Sequence, residues 1–325
     1  MRLPTFLAAA SLLLTLAGSA QAEPIAVTST ALPLNRDNLI QLCVGPLRYV
    51  GGVELTSGNT DFGGLSGLSV TPDGQSITAV SDRGFWFTAR LTRDARGELT
   101  GVRDTALFPI RDRDGDPVAI RTQTHDAEAL AREGDTMIVS FERRHRLWRY
   151  DARTLETARA DVLPTPPGLI GARINGGIEA LAVLGPGRYL AVAEELETPD
   201  GNLRGWLFDD GAWRELAYEQ QPGWKPTDFT LLPDGDVLAT ERHFSRLGGF
   251  TSQIRRIPRA SIAPGALLQG KVIAEFAAPV LTDNFEGLAN FRGADGHIYL
   301  LVVSDNNFTP LQRTVLLQFR LEDED

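Results

Sequence analysis

The chain reads GIEALAVLGPGRYLAVAE over residues 177–194, and this stretch contains the unit that decides the fold. An acid in an apolar setting, Glu179, opens the unit, and Gly185-Pro186-Gly187 follows. The chain then returns through an apolar run that ends on a second acid, Glu194. Glycine and proline supply the backbone angles that tight hairpins need. The stretch therefore predicts two antiparallel strands joined by a short turn.

The same unit occurs five times along the chain, at intervals of roughly 50–60 residues. A third β-rich run follows each hairpin, as in residues 146–150, and a fourth closes four of the units, as in Lys271–Phe276. No long amphipathic helix interrupts the pattern. Four antiparallel strands in every repeat predict an all-β fold, a β-propeller of four-stranded blades with five blades by repeat count.

The ends of the chain are expected to close this ring. The fifth unit ends after its third strand at Leu321, and a β-rich run over Leu47–Leu55 stands before the first unit. We expect this N-terminal strand to complete the last blade. A sixth blade in residues 23–46 or in the long first interval is an alternative, as are a β-sandwich and an open β-solenoid.

The first 22 residues have the order of a secretory signal. Arg2 supplies the positive charge, Phe6–Ala17 is apolar, and Ala20-Gln21-Ala22 fits the cleavage pattern. We therefore predict a signal peptide over 1–22, an N-terminal extension over 23–46 and a single propeller domain over 47–325. The mature protein is expected to be a periplasmic or secreted monomer, and no other stretch is long and apolar enough to span a membrane.

Composition excludes several classes of protein. Apolar residues make up 42% and charged residues 23% of the 325 residues, which is a globular composition rather than a disordered one. The 42 acidic and 32 basic residues give a net charge of −10, which disfavours nucleic acid and anionic membranes as partners. A single cysteine, Cys43, excludes an intramolecular disulfide and a cysteine-cluster metal site.

The acids at the two ends of each hairpin are predicted to meet at one end of the channel. In a propeller the first strand of each blade lines the channel and the second returns to the face where the first began. The expected inner ring is Ser66, Glu128, Glu179, Asp228 and Glu286, and the outer ring is Asp82, Glu142, Glu194, Glu241 and Asp305. Nine carboxylates in one place repel each other strongly unless a cation neutralises them. Oxygen ligands without His or Cys favour Ca²⁺ over Mg²⁺, while a purely structural role for these acids is the alternative.

Basic residues stand directly beside the outer acids. Arg83 follows Asp82, and Arg143 and Arg242 follow Glu142 and Glu241. A guanidinium group has a planar fork that fits phosphate oxygens, and acids that hold a metal beside such groups suit phosphoryl chemistry. Lys225, next to Trp224, is a further candidate at this face. Salt bridges to the neighbouring acids are the simpler interpretation of the arginines.

Several of these segments resemble the phytase-like domain family, also called "esterase-like activity of phytase". The resemblance rests on Asp126-Ala127-Glu128-Ala129-Leu130, Gly177–Leu181, Asn284–Leu288, Ser81–Gly84 and Arg111–Val118 leading into His125, and it extends from about Gly63 to Phe319. The family consists of bacterial exported proteins. Its repeated acids are taken as the enzymatic residues, which by position implicates Glu128, Glu179 and Glu286, with Asp82, Glu142 and Asp305 behind them.

We therefore expect a metal-dependent hydrolase of small phosphate esters. Glu128, Glu179, Asp228 and Glu286 would hold Ca²⁺ together with Asp82 and Asp305, and His125 would act as a general acid or base. The basic residues Arg83, Arg143, Arg242 and Lys225 would bind the substrate. A propeller hydrolase of carboxyl esters or lactones, and a non-catalytic propeller that binds a ligand or a protein, are the alternatives.

Overall fold

The computed structural model of the protein describes residues 23–322. The predicted signal peptide over 1–22 lies outside these residues. Among the described residues, no helix is long and apolar enough to cross a membrane.

The described chain is built almost entirely of strands, because short alternating apolar runs are separated by glycine-containing turns. Three 3₁₀ turns are present, at Ile120–Thr122, Leu169–Gly171 and Arg259–Ser261. The strands are β1 (Glu23–Pro24), β2 (Val27–Ala31), β3 (Cys43–Val44), β4 (Leu47–Ser57), β5 (Leu65–Val70), β6 (Ser76–Ser81), β7 (Phe85–Arg93), β8 (Leu99–Pro109), β9 (Ala127–Glu133), β10 (Thr136–Phe141), β11 (Arg146–Asp151), β12 (Asp161–Leu163), β13 (Ile178–Gly185), β14 (Arg188–Glu197), β15 (Leu203–Asp209), β16 (Ala212–Tyr218), β17 (Trp224–Leu231), β18 (Val237–Ser245), β19 (Gly249–Ile257), β20 (Leu267–Leu268), β21 (Lys271–Phe276), β22 (Phe285–Arg292), β23 (Ile298–Ser304) and β24 (Thr314–Leu321).

These strands form five four-stranded antiparallel blades. Blades 1 to 4 are β5–β8, β9–β12, β13–β16 and β17–β18–β19–β21, and blade 5 is β22–β23–β24–β4. The innermost strands contact one another around a closed ring, in the order β5, β9, β13, β17, β22 and back to β5. The structure therefore confirms the predicted all-β propeller.

Blade 5 combines both ends of the described chain. Its outermost strand, β4, pairs antiparallel with β24, with Leu55 opposite Thr314 and Leu47 opposite Leu321. The structure confirms the expected closure by an N-terminal strand. Residues 23–46 add short strands to the edges of the ring, because β1 pairs with β8 and β2 pairs with β4. Leu32 and Leu34 of this segment are buried in the core.

The apolar core lies between the blades. One cluster joins Ile138 of blade 2 to Leu181 and Trp206 of blade 3, and the other clusters likewise combine neighbouring blades. The inner strands approach so closely that a Cβ at Gly67 would lie 2.3 Å from the backbone nitrogen of Leu130. Burial of apolar surface stabilises a fold by about 25 cal/mol per Å². The packed core therefore holds the inner strands, and the residues at which they begin, in fixed positions.

A β-bulge lies near the start of the inner strand in every blade. In blade 3, Ile178 pairs with Ala193 and Ala180 with Val192, so Glu179 has no partner on the returning strand. The register shifts at the matching place in the other four blades. A bulge turns the extra residue out of the strand's alternation and is common beside active sites. Five bulges therefore direct five side chains toward the same end of the channel.

Candidate functional site

Three positions of each blade meet at this end. We name them from the last residue pair before each bulge: the first position lies one residue before that pair on the inner strand, the bulge position one residue after it on the inner strand, and the return position one residue after it on the second strand. In four blades the return residue donates its backbone N–H to the carbonyl of the first-position residue, at 2.8 or 2.9 Å. In blade 4 these two residues, Lys225 and Arg242, face each other in the ladder. The first positions are Gly64, Asp126, Gly177, Lys225 and Asn284; the bulge positions are Ser66, Glu128, Glu179, Thr227 and Glu286; the return positions are Asp82, Glu142, Glu194, Arg242 and Asp305.

Nine of these residues line a cavity of about 210 Å³, which we call the acidic cavity. Two arginines and two asparagines take part in its wall. The carboxylates that line it are Asp82, Asp126, Glu128, Glu142, Glu179, Glu194, Glu286 and Asp305, and the other polar residues are Arg143, Arg242, Asn175 and Asn307. The structure thus brings together most of the acids predicted for the two rings.

Blade 2 contributes the densest group of acids. One carboxylate oxygen from each of Asp126, Glu128 and Glu142 lies within 4.8 Å of the other two. Two like charges at that separation repel by about 3 kcal/mol at an effective dielectric constant near 20. Buried oxygens of Asp82 (Oδ1) and Glu286 (Oε2) also have no hydrogen-bond partner. Carboxylate oxygens without a hydrogen-bond partner fit the ligand set of a hard cation. Compensation within the group is partial, because Asp126 pairs with Arg143 and Glu142 accepts the backbone N–H of Gly177.

Burial and mutual repulsion raise the pKa values of these acids. Burial and then the charge of Glu142 hold the pKa of Glu128 well above its usual range. Burial and then the charge of Glu128 do the same for the pKa of Glu179. Burial raises the pKa of Glu142 and of Glu286 to about 8. The same effect raises the pKa of Asp82 to about 7 and that of Asp305 to about 6. The metal-free cavity therefore retains protons near neutral pH.

Blade 4 places cations at the positions where blade 2 places acids. The guanidinium group of Arg242 lies 2.8 Å from Glu194, 2.7 Å from Glu286 and 2.7 Å from the amide oxygen of Asn284. Burial opposes its charge, but Glu286 and Glu194 outweigh burial and raise the pKa of Arg242. Lys225 contacts Glu194 at 3.3 Å and also pairs with Glu195, just outside the cavity.

The placement of Asp228 and Glu241 in the two rings is wrong by one residue in each case. Thr227, not Asp228, occupies the bulge position, and Arg242, not Glu241, occupies the return position. Because side chains alternate along a strand, a shift of one residue turns the side chain to the opposite face. Asp228 instead accepts backbone hydrogen bonds from Phe229 at 2.8 Å and Leu288 at 2.7 Å.

Glu241 belongs to a separate buried network. It accepts hydrogen bonds from the Tyr218 hydroxyl at 2.7 Å, from Arg255 at 3.2 Å and from Gln253. Arg255 is fully buried and also pairs with Glu219 at 2.5 Å. Each charge in this network has an opposite charge beside it, so the network is structural in character.

The remaining predicted residues lie around the cavity. Arg143 is in its wall and forms an ion pair with Asp126 at 2.5 Å. Arg83 lies outside the wall, with its guanidinium carbon 3.4 Å from the centre of the Phe308 ring and a hydrogen bond to the Thr60 carbonyl. His125 is buried behind Asp126, with Nε2 4.0 Å from its Oδ1, and burial lowers the pKa of the imidazole. Asp126 is the cavity acid that the ring assignment missed.

Comparison with known proteins agrees with this architecture. The family model described as "Phytase-like: Esterase-like activity of phytase" matches residues 60–308. A search of curated protein sequences finds no significant match.

Two solved structures illustrate the similarity in fold. A sucrose-6-phosphate hydrolase from Lactobacillus gasseri is 13% identical, with a TM-score of 0.50 over 81% of this chain and 60% of the other. A PQQ-bound aldose sugar dehydrogenase from Streptomyces coelicolor is 12% identical, with a TM-score of 0.45 over 92% of this chain and 99% of the other. At such identities the likeness concerns the fold alone. The family match covers most of the chain, and the protein therefore belongs to the phytase-like family, described as "esterase-like activity of phytase".

Proposed function

We propose that the protein is a metal-dependent hydrolase of phosphate esters that binds Ca²⁺ in the acidic cavity. The supporting observation is that eight carboxylates surround about 210 Å³ with only two guanidinium groups among them. We also propose that the chain is exported and that it is a monomer. A small-molecule substrate suits a cavity of this size.

The residues present suit a hard cation. Asp126, Glu128 and Glu142 would hold the ion, since their oxygens already lie within 4.8 Å of one another. Glu179, Glu286, Asp82 and Asp305 complete an all-oxygen wall, which is the donor set that calcium prefers. When bound, Ca²⁺ would polarise a phosphoryl oxygen and lower the pKa of a bound water. Asp228 is left out of the ligand set because its carboxylate binds backbone amides.

The chain's own residues would orient the ester. Arg242 reaches the cavity from the blade that carries no acid there, so a phosphate group would lie between this arginine and blade 2. Glu286 lies 2.7 Å from the guanidinium group of Arg242 and would hold this arginine in position for the phosphate group. Arg83 and Lys225 lie outside the wall and would act at most on the outer part of a substrate. His125 would act through Asp126 rather than on the substrate.

A carboxyl-ester hydrolase is the second candidate, because the description of the family names an esterase-like activity. Such an enzyme would use the same cation but would not need Arg242 for a phosphate group. A propeller that only binds a ligand would show no turnover and would not require the cation.

Calorimetric titration with Ca²⁺ tests the proposal, followed by assays with p-nitrophenyl phosphate, bis(p-nitrophenyl) phosphate and p-nitrophenyl butyrate. The protein variants are wild type and the double variant Glu128→Gln/Glu179→Gln. Asp210→Asn is a matched control, because Asp210 is an exposed acid in a turn at the other end of the channel, with a φ of 51° that asparagine tolerates.

We expect wild type and Asp210→Asn to bind Ca²⁺ and to hydrolyse a phosphate ester. The double variant should lose both properties while it keeps its thermal unfolding midpoint. Hydrolysis of the butyrate ester alone would support the second candidate. Absence of calcium binding by wild type at millimolar Ca²⁺ would overturn the metal-dependent mechanism.

A further inference from the structure

Large apolar side chains are exposed in the loops around the acidic cavity. Leu247 and Leu311 are almost completely exposed, at the tips of the β18–β19 and β23–β24 connections. The loops before β9 and β13 expose more apolar residues, namely Ile120, Ile170 and Ile174, and Phe244 is exposed next to Leu247. These side chains project from blades 2 to 5 at the end where the acids meet. Single exposed apolar residues are ordinary, but a set of them at one end of a molecule indicates an interaction surface.

The charges are just as uneven in the parts of these loops that carry the apolar side chains, although the connection before β9 also contains Asp112, Asp114 and Asp116. The segments 117–124, 164–175, 244–249 and 306–313 contain no Asp or Glu, although about four acids would be expected at the chain's average frequency. Each segment contains one arginine: Arg121, Arg173, Arg246 and Arg313. Arg121 and Arg246 are exposed, Arg173 is exposed but lies 3.5 Å from Glu195, and Arg313 pairs with Asp283 at 3.1 Å. Exposed apolar tips are thus accompanied by positive charge.

The opposite end of the channel has the reverse composition. Its hairpin turns carry acids such as Asp73, Asp135, Asp209, Asp234 and Asp295. No large apolar side chain is exposed in these turns among the described residues. The two ends therefore differ in a way that solubility alone does not require.

We propose that the loops around the acidic cavity dock on a phospholipid surface. Leucine and isoleucine side chains would enter the boundary between head groups and acyl chains, and the arginines beside them would bind lipid phosphates. A protein partner would also bind exposed apolar loops. It would not require that each of the four segments contain an arginine and lack acidic residues. This inference does not depend on the proposed hydrolase function.

The net charge of −10 does not oppose this orientation. Eight carboxylates of this end line the cavity, and the four apolar segments carry arginines without acids, whereas Glu197 and Asp200 are exposed in the neighbouring β14–β15 hairpin. Salt screens charges beyond about 8–10 Å, so the loops that touch the surface outweigh the distant acids of the other end. Docking would place the cavity against the lipid head groups.

A vesicle flotation assay tests the inference on the full mature chain. The probe is phosphatidylcholine vesicles with about one quarter phosphatidylglycerol, with and without Ca²⁺. The test variant is Leu247→Ser/Leu311→Ser. The matched control is Ile40→Ser, since Ile40 is equally exposed but belongs to the N-terminal extension. A further variant, Arg121→Gln/Arg246→Gln, removes two of the charges, and circular dichroism confirms that every variant is folded.

We expect wild type and Ile40→Ser to float with the vesicles. The affinity of the leucine variant for the vesicles should fall by about tenfold or more. The affinity of the arginine variant should fall by about fivefold for each charge removed. The Glu128→Gln/Glu179→Gln variant should still float, which separates docking from the hydrolase proposal. Failure of wild type to bind these vesicles, or equal binding by the leucine variant, would overturn the inference. Self-association that the leucine variant abolishes, without vesicle binding, would also overturn it by assigning the loops to a second copy of the chain.

Discussion

Blades 2 and 4 carry opposite charges on the same backbone. At the first, bulge and return positions, blade 2 has Asp126, Glu128 and Glu142, whereas blade 4 has Lys225, Thr227 and Arg242. Both blades form the bulge, so the side chains alone account for the difference. The cavity is therefore polarised, with grouped carboxylates on one wall and a guanidinium group on another, and the proposed hydrolysis of a phosphate ester would use both.

Two acids next to these positions in blade 4 show how hydrogen bonds and ion pairs compensate a buried carboxylate. Asp228 and Glu241 are each one residue away from a cavity position, and both are fully hydrogen-bonded in the interior. The acids of blade 2 are compensated less completely: Asp126 pairs with Arg143 and Glu142 accepts the backbone N–H of Gly177, but the three carboxylates still lie within 4.8 Å of one another. Burial alone therefore does not distinguish the two groups of acids, whereas incomplete compensation of their charge does.

The largest expected effect comes from removing the charge of blade 2. Glu128→Gln/Glu142→Gln should lower calcium affinity and kcat/KM by about 10³-fold, because two of the three grouped carboxylates are lost. The free energy of unfolding should stay the same or rise, since the change removes repulsion between buried acids. Calorimetry and urea unfolding measure the two quantities, and an unchanged calcium affinity would contradict the ligand assignment.

The compensated network of blade 4 should respond in the opposite way. Arg255→Met removes the partner of the buried Glu241 and should lower the free energy of unfolding by about 3–5 kcal/mol, with calcium affinity unchanged. Arg256→Met is the control, because this arginine pairs with Asp234 and Asp236 at the surface, where such pairs contribute about 1 kcal/mol or less. Equal losses in the two variants, measured by urea unfolding, would show that the buried network has no special weight.

The cavity acids should make the metal-free protein more stable at low pH. The pKa is raised to about 8 for Glu142 and Glu286 and to about 7 for Asp82, above the values of about 4 in an unfolded chain. The native state therefore binds more protons than the unfolded state between these limits, so its stability falls as the pH rises through this window. We expect a loss of about 3 kcal/mol between pH 5 and pH 8.

Calcium should remove most of this dependence at the upper end of the window, because the ion replaces the protons. Thermal unfolding at each pH, with Ca²⁺ and with a chelator, measures the difference. Stability that rises toward pH 8 without calcium would contradict the assigned protonation.

The smallest expected effect comes from the cation of blade 4. Arg242→Gln should reduce kcat/KM for a phosphate ester by about 10²-fold, since one charged donor to the phosphate is lost. Calcium affinity should hold or increase, because a positive charge leaves the cavity. Steady-state kinetics and calorimetry measure both, and a fall in calcium affinity would show that Arg242 supports the metal ligands instead.

The repeat made the fold predictable, because each hairpin has its own turn residues and each blade its own apolar runs. The bulges were not predictable in the same way, and in blade 4 this misplaced two acids. A usable signal was present: Glu128, Glu179 and Glu286 each stand two residues before a leucine, and Thr227, not Asp228, stands two residues before Phe229. Asp126 was missed because no other blade has an acid at the first position, so the comparison of repeats did not reveal it.

The closure of the ring by β4 and β24 has a consequence for the order of folding. Residues 47–55 must wait for residues 314–321 before blade 5 exists, a contact across nearly the whole chain that makes completion slow. Glu286 and Asp305 belong to that blade, so the cavity wall is assembled only with the final pairing. A chain truncated before β22 would keep the grouped acids of blade 2 but would lack Glu286 and Asp305, so a cation would stabilise the complete cavity only after the ring has closed.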